Sequence, residues 1–414
     1  MSLSRSDKYI VLHNPISNEG HLDSWHVLFI NLLAQAGFKI IALTSDPVGL
    51  NKKLREFRDL DRREIVVRGI KHGDLLQKTV RRLYGYAVSV LNMILGRPKR
   101  RVTHIDPITF CRQLNSLFSC YPDQVGMVFS MYMDAYDPTP EAWQNFRLKI
   151  KVPLLGLCVT PQEGGKEGYY ALSNYRGTCF LDQTWRDEYR QRFTNKKFEF
   201  LPDITDTRLP KERSSLLAQI LSFAKGRKIV FMGGSIGKQK NLSCWHKVIE
   251  VSDAGLWCFV QIGRINWSNL TEDDAQSLHR LALNPLKNLF VYDQYIHDEG
   301  VFNEIISQST VIFAVYRDFN RSSNMLSKAA YFEKPILVSD QGIMGVRVDH
   351  YRIGHCVNHS NVADISNALE TIQNITDIKE NFSRYRKDFS ASVVQARLAN
   401  FIMDDLNNDK LIKN

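Results

Sequence analysis

The 414-residue chain has no apolar run approaching the roughly 18–20 residues that a membrane-spanning helix requires. Its start, MSLSRSDKYIVLHN, lacks the apolar core of a secretion signal. Cysteine is sparse: Cys111, Cys120, Cys158, Cys179, Cys244, Cys258 and Cys356 are odd in number, scattered and never in a C-x-x-C pair. That pattern fits neither a disulfide framework nor a structural zinc site, and it sets the expectation of a reduced, cytoplasmic protein. No fixed-period repeat and no low-complexity tract is present. Acidic residues are the minority, 44 against 54 Lys+Arg, for a net charge of +10 that suggests an acidic partner: nucleic acid, phosphate or anionic lipid. With 44% hydrophobic and 24% charged residues, the composition is that of an ordinary folded protein. One core rarely grows past roughly 250–300 residues, so two domains are expected.

Short runs rich in Val, Ile and Phe alternate with longer amphipathic stretches, the pattern of β-α-β units in parallel sheets. The fold class is therefore α/β. Strands are expected at Tyr9–His13, Phe38–Leu43, Glu64–Val67, Gln124–Phe129, Val152–Leu157 and Phe198–Leu201, and again at Lys228–Met232, Trp257–Gln261, Leu289–Tyr292, Thr310–Ala314 and Pro335–Val338. The series restarts after a polar joint, LPDITDTRLPKERSS, from Leu201 to Ser215. This gives a first lobe over 1–205, a second over 206–380, and terminal helices over 381–414 expected to pack back on the first lobe. Ligands of such folds bind at the carboxyl ends of the strands, expected to face a cleft between the lobes.

Between Leu75 and Ile105 lie Lys78, Arg81, Arg82, Arg97, Lys99, Arg100 and Arg101 with no acidic residue, around the apolar LYGYAVSVLNMIL. Segment 78–101 suits an anionic membrane interface, where each basic residue adds about 1 kcal/mol, and equally suits a core helix flanked by solvated basic turns. Nucleic acid is not expected, because no aromatic-basic interleaving accompanies the patch.

Three loops carry candidate chemistry. HNPISNEGHLDSW follows the first strand and opens a helix; Gly20 allows close backbone approach, and His13 and His21 flank it as potential general bases. In KIVFMGGSIGKQKNL, Gly233, Gly234, Ser235 and Gly237 follow a buried strand, with Lys238 and Lys240 beyond. Glycines let the backbone approach a diphosphate, and a lysine ammonium offsets its charge. This loop is not a P-loop, since Gln239 follows Lys238, and no G-x-G-x-x-G occurs in either lobe, which argues against a nicotinamide enzyme. In the third loop, after Thr310–Ala314, Ser322, Ser323 and Asn324 cap a helix whose start is a ready anion site. Two anion-binding edges in one lobe suit a nucleotide diphosphate better than a single phosphate.

These motifs, in this order, resemble the nucleotide-sugar lobe of GT-B glycosyltransferases, nearest the retaining family 4-like group that builds bacterial polysaccharides and glycolipids. FMGGSIGKQKNLSCWHKVIE is similar to that group's strand-glycine-lysine-helix opening, with Lys240 at the diphosphate clamp. WCFVQIGRI and FVYDQYIHDEGVFNEIISQSTVIFAV resemble its next strand and base-contacting loop, and SSNMLSKAAYFEKPILVSDQGIMGVRVDHYRIGHCV its closing helix, strand and glycine turn. GHLDSWHVLFINLLAQAGFKIIALTSDP resembles the acceptor-lobe opening and FLPDITDTRL the hinge, so the likeness runs from about Lys8 to about Ala368.

The resemblance implies two Rossmann-like lobes and a hexosyltransferase-type enzyme that moves a sugar from a nucleotide diphosphate, its co-substrate, to a carbohydrate or lipid-linked acceptor. It implies no separate cofactor and no metal, and a cytoplasmic location, with peripheral attachment at the inner membrane face if segment 78–101 inserts. Donor contacts would come from Gly233, Gly234, Ser235, Lys238, Lys240, Arg264, Asn320, Ser322, Ser323, Asn324 and Lys328. Gly20, His21 and Asp134 would line the acceptor side, with Asp134 and His21 as catalytic candidates and Asp134 alternatively a helix cap. The group usually carries two glutamates seven residues apart where this chain has Asn320 and Lys328, and a lysine cannot accept the ribose hydroxyl hydrogen bonds that a carboxylate would. Altered donor binding, a phosphate contact by Lys328, or loss of catalysis are the three consequences open at this point. A nucleotide-sugar epimerase and a non-catalytic scaffold of the same fold are the alternative functions.

Overall fold

The computed structural model describes residues 7–16, 21–57, 60, 62–70, 105–149, 151–162 and 165–411. Segment 78–101 and Gly20 lie outside the described residues. The chain divides into two compact units: the first takes Met1–Leu201 and Gln395–Asn414, the second Pro202–Val394.

The first unit is built on a seven-stranded sheet in the order β3-β2-β1-β4-β5-β6-β7, and every adjacent pair is parallel. The strands are β1 (Tyr9–Asn14), β2 (Lys39–Thr44), β3 (Ile65–Gly69), β4 (Val125–Ser130), β5 (Leu154–Cys158), β6 (Tyr175–Phe180) and β7 (Lys197–Phe200). Strands β1, β2 and β4 are buried on both faces, which is why they read as continuous apolar runs without alternation. The order reverses between β1 and β4.

The second unit has a six-stranded parallel sheet, β10-β9-β8-β11-β12-β13. Its strands are β8 (Lys228–Gly233), β9 (Trp257–Ile262), β10 (Leu289–Tyr292), β11 (Val311–Ala314), β12 (Ile336–Ser339) and β13 (Gly354–Val357). Successive residues of β8 feed opposite cores. Ile229 and Phe231 join Leu217, Ile220 and Leu326 on one face, while Val230 and Met232 join Trp245, Val248 and Phe313 on the other. Here the reversal lies between β8 and β11.

Two strands were not anticipated. β6 (YRGTCF) carries polar groups unlike those of a core strand, but the hydroxyls of Tyr175 and Tyr170 meet Thr178 Oγ1 at 2.8 and 3.0 Å, so its polar atoms are buried with partners. β13 (GHCV) is a short edge strand with its first three residues only half-buried, too little to register as an apolar run.

The terminal helices divide between the units. Helix Ile378–Phe389 packs in the second, where Arg386 donates to the Ala330 carbonyl at 2.6 Å and Tyr351 donates to Asp388 at 2.5 Å. Helix Ala391–Leu411 carries the chain into the first unit. There Gln395 donates to the Leu32 carbonyl (2.9 Å), Arg397 to the Phe200 carbonyl (3.0 Å), and Lys197 pairs with Asp405 at 2.5 Å.

Burial lowers the pKa of His246 to about 4, of His26 to about 4 and of His13 to about 3, against an ordinary 6.5. These rings stay neutral in the folded chain while the unfolded chain takes up protons below pH 6.5. Their stabilisation is therefore complete above that pH and is lost as pH falls toward the folded values, at up to about 1.4 kcal/mol per pH unit for each ring. Replacing His246 by Gln should flatten the stability-pH slope between pH 6 and 4.5 in chemical denaturation (window approximate, from the same linkage). An unchanged slope would show that His246 is not held neutral.

Candidate functional site

Ligands of open parallel sheets bind beyond the carboxyl ends of the strands where the strand order reverses. In the second unit that place is the end of β8 beside the end of β11. The side chain of Lys240 sits there, because the loop after β8 turns back through a 3-10 turn, Lys238–Lys240. Its ammonium donates to the carbonyl of Gly233, the last residue of β8, at 2.7 Å, and to the hydroxyl of Tyr316, two residues beyond β11, at 2.8 Å. The ammonium also stands 4.2 Å from the Tyr316 ring centroid. No carboxylate pairs with it among the described residues. A half-buried ammonium held by neutral oxygens retains an uncompensated charge and a third N–H, the condition of an anion site.

The loop around Lys240 is fixed by glycine backbone and by a buried ion pair. Gly234 has φ +99° and Gly263 φ +133°, and a Cβ on Gly263 would stand 1.8 Å from the Gly234 carbonyl oxygen. The ends of β8 and β9 thus touch backbone to backbone, tied by Gly234 N–H to Ile262 O (3.0 Å) and Ile236 N–H to Arg264 O (3.1 Å). On the other side Arg317 reaches Asp274 (3.1 Å), Asn241 (2.7 Å) and Ser243 (3.1 Å), and its backbone N–H donates to Gln239 O at 2.9 Å. Burial pushes the Asp274 carboxyl up, but the Ser243 N–H, the Thr271 hydroxyl and Arg317 outweigh it and hold the pKa below the ordinary value. Arg317 is therefore neutralised within the fold, whereas Lys240 is not.

Beyond the ends of β9 and β10 lies an open groove of about 620 Å³, lined among others by Ser215, Arg264, Tyr292, Tyr295, His297 and Asp298. Tyr295 is 49% exposed and its ring packs edge-on against His297 at 4.7 Å. Gly263 N–H donates to Tyr292 O (3.0 Å) and Ile265 N–H to Asp293 (2.6 Å), so the groove loop is hydrogen-bonded to the strand end that touches Gly234. The anion cradle and the groove share the β8–β9 edge.

The residues expected from sequence take these places. Gly233, Gly234 and Lys240 form the cradle; Ser235 and Lys238 are exposed on its loop. Arg264 is exposed at the groove. Asn320 is exposed on the loop after β11, where its Cα would meet a Cβ on Gly342 at 2.9 Å. Ser323 caps helix Asn324–Phe332, accepting from Met325 N–H at 3.3 Å, and Ser322 accepts from Arg347 at 2.7 Å. Ser322, Ser323 and Asn324 thus stand at the carboxyl end of β11, on the same sheet edge as Lys240.

Lys328 lies elsewhere. It is wholly buried, donating to Glu299 at 2.6 Å, to the Asp206 carbonyl at 3.2 Å and to Asn303 Oδ1. Burial pulls its pKa down, and the Glu299 carboxylate opposes that shift. An ammonium so enclosed does not meet a ligand phosphate.

In the first unit Asp134 follows β4, and its carboxylate accepts from Val159 N–H beyond β5 at 3.1 Å, which ties two strand ends together. The side chain of His21 lies outside the described residues. His13 is fully buried against Phe110 and Tyr136, with Nδ1 2.9 Å from the Tyr136 hydroxyl. Sequence reasoning missed Tyr316, Gly263, Arg317 and Glu299. The glycine directly after β9, in VQIGRI, was the signal available for Gly263.

No protein-family model matches the sequence, and no curated protein matches it. Solved structures do. HepE from Anabaena, in complex with UDP and glucose, is similar with TM-score 0.66 at 10% identity, over 96% of this chain and 100% of that one. An α,α-trehalose 6-phosphate synthase from Burkholderia multivorans gives TM-score 0.64 at 11% identity, over 99% and 100%. A glycosyltransferase from Rickettsia africae gives 0.63 at 12%, over 97% and 100%. The chain has the GT-B fold.

Gly263→Ala should place a methyl group on the Gly234 carbonyl and destabilise the protein by about 1–3 kcal/mol beyond backbone strain. Gly226→Ala is the control: it too has positive φ, +80°, but nothing lies within 4 Å of its Cβ. Chemical denaturation should show the larger loss for Gly263→Ala; equal losses would contradict the backbone contact.

Proposed function

We propose that the chain is a hexosyltransferase-type glycosyltransferase that binds a nucleoside-diphosphate sugar in its second unit and passes the sugar to a carbohydrate or lipid-linked acceptor. The observation that carries this reading is the uncompensated ammonium of Lys240 at the strand-order reversal, beside a groove large enough for a nucleoside. In this reading the base and ribose occupy the groove and the diphosphate lies across Lys240, the Gly234 backbone and the start of helix Asn324–Phe332, where free N–H groups favour an anion.

Glycosyl transfer needs the leaving diphosphate stabilised as the bond to the sugar breaks, and fixed cations and amides do this without reorganising. The reading assigns that charge to Lys240, with Lys238 and Arg264 in support, rather than to a metal. Asp134 takes a positioning role in the first unit, since its carboxylate already holds the Val159 N–H. Lys328 is left out of the donor contacts. A cytoplasmic setting and membrane attachment through segment 78–101 belong to the proposal on sequence grounds; among the described residues no helix is long and apolar enough to cross a membrane.

Thermal denaturation with UDP, GDP and ADP should show stabilisation by at least one, about 2.7 kcal/mol at a hundredfold excess over its Kd. Lys240→Met should remove most of the shift, through a loss of at least about tenfold in affinity. Stabilisation by none of the three would leave a scaffold without a donor site. Turnover of the sugar nucleotide only with an acceptor marks a transferase; release of nucleoside diphosphate and epimerised sugar without one marks an epimerase.

A further inference from the structure

The two glycines at the end of β8 have different surroundings. A Cβ on Gly233 would run into the Phe231 and Phe302 rings, so that side of the backbone is packed core. A Cβ on Gly234 would meet, chain neighbours aside, one atom within 4 Å among the described residues: the Lys240 ammonium nitrogen, 3.7 Å away. The space over Gly234 is therefore open, with the ammonium as its wall. Two of the ammonium N–H groups are engaged, by the Gly233 carbonyl at 2.7 Å and by the Tyr316 hydroxyl oxygen at 2.8 Å.

Tyr316 has a donor of its own to spend. Its hydroxyl oxygen accepts from Lys240, so the hydroxyl hydrogen must go to a different group, and no acceptor for it stands among the described residues. Tyr316 is 5% exposed, and the O–H of a buried tyrosine normally finds a partner. A hydroxyl that accepts from a cation is also polarised into a stronger donor. Its place is fixed: the ring packs edge-on against Phe319 at 5.1 Å, the Tyr316 carbonyl accepts from the Ser339 hydroxyl, and the next residue, Arg317, is tied to Asp274. Two unspent hydrogens thus sit on atoms 2.8 Å apart, one cationic and one neutral.

We infer that Tyr316 is a ligand contact in its own right: its hydroxyl donates to one oxygen of the bound diphosphate while the third N–H of Lys240 donates to another. This rests on the proposed nucleoside-diphosphate site and adds to it a neutral donor supplied from beyond β11. A donor already in place as charge builds on the leaving diphosphate needs no reorganisation.

The rival role is positioning, in which Tyr316 only steadies Lys240, and a double-mutant cycle separates the two. Binding of UDP, GDP and ADP, and of the parent nucleosides, is measured by calorimetry for wild type and Tyr316→Phe, and by ligand NMR titration for Lys240→Met and the double variant. Tyr316→Phe keeps the ring and removes the hydroxyl. It should weaken binding of the diphosphate about tenfold and leave the nucleoside as in wild type. Added to Lys240→Met, it should weaken diphosphate binding again, by at least about threefold. No further loss in the Lys240→Met background, or equal losses for diphosphate and nucleoside, would overturn the contact and leave Tyr316 a support for Lys240. If a variant does not fold, or binds too weakly to titrate, carbon NMR of the wild-type chain labelled at tyrosine Cζ decides. The diphosphate should then move a tyrosine resonance that the nucleoside leaves in place, and movement of the same resonances by both would overturn the assignment. Binding of no nucleoside diphosphate to wild type would remove the proposed function itself; binding at wild-type strength in Tyr316→Phe would remove only this inference.

Discussion

Among the described residues the ammonium of Lys240 has no carboxylate partner, and the candidate site of the second unit is built around it. Lys240 is held by a strand-end carbonyl and a tyrosine hydroxyl, 2.7 and 2.8 Å away, which fix its position without cancelling its charge. The neighbouring cations are treated differently: Arg317 is neutralised by Asp274, and Lys328 by Glu299. Those two are discharged within the fold, while the ammonium of Lys240, with no carboxylate partner among the described residues, keeps its charge at one place on the sheet edge. That place is where the parallel sheet changes direction and its strand-end backbone opens outward.

The backbone around Lys240 follows from this requirement. For Lys240 to lie on the Gly233 carbonyl, the loop must turn sharply after β8, and the adjoining end of β9 must come into contact with it. Only a residue without Cβ fits at Gly263 for that contact, and only positive φ fits at Gly234. The groove loop after β10 is then hydrogen-bonded to the same strand end. Cradle and groove are thereby one construction rather than two features that happen to be neighbours.

The α/β class and most of the parallel strands were legible because buried parallel strands write themselves as unbroken runs of Val, Ile and Phe. β6 and β13 were not, since one buries its hydroxyls in mutual hydrogen bonds and the other is a half-exposed edge. The glycine-lysine loop was legible from Gly233, Gly234 and Lys240 following an apolar strand. What sequence could not supply was the state of each cation. Lys328 and Lys240 look alike in one dimension, and only packing shows that the first is enclosed by Glu299, Asn303 and Asp206 while the second is left open. Tyr316 was illegible for the same reason: its role exists only because β11 lies beside β8.

In the proposed function Lys240 meets a pyrophosphate. A crystal structure with a bound nucleoside diphosphate tests it most directly. Phosphate oxygens should stand within hydrogen-bonding distance of the Lys240 ammonium and of the backbone at Ser323 and Asn324, with the base in the groove beside Arg264. A diphosphate bound elsewhere, with Lys240 still holding only Gly233 and Tyr316, would contradict it.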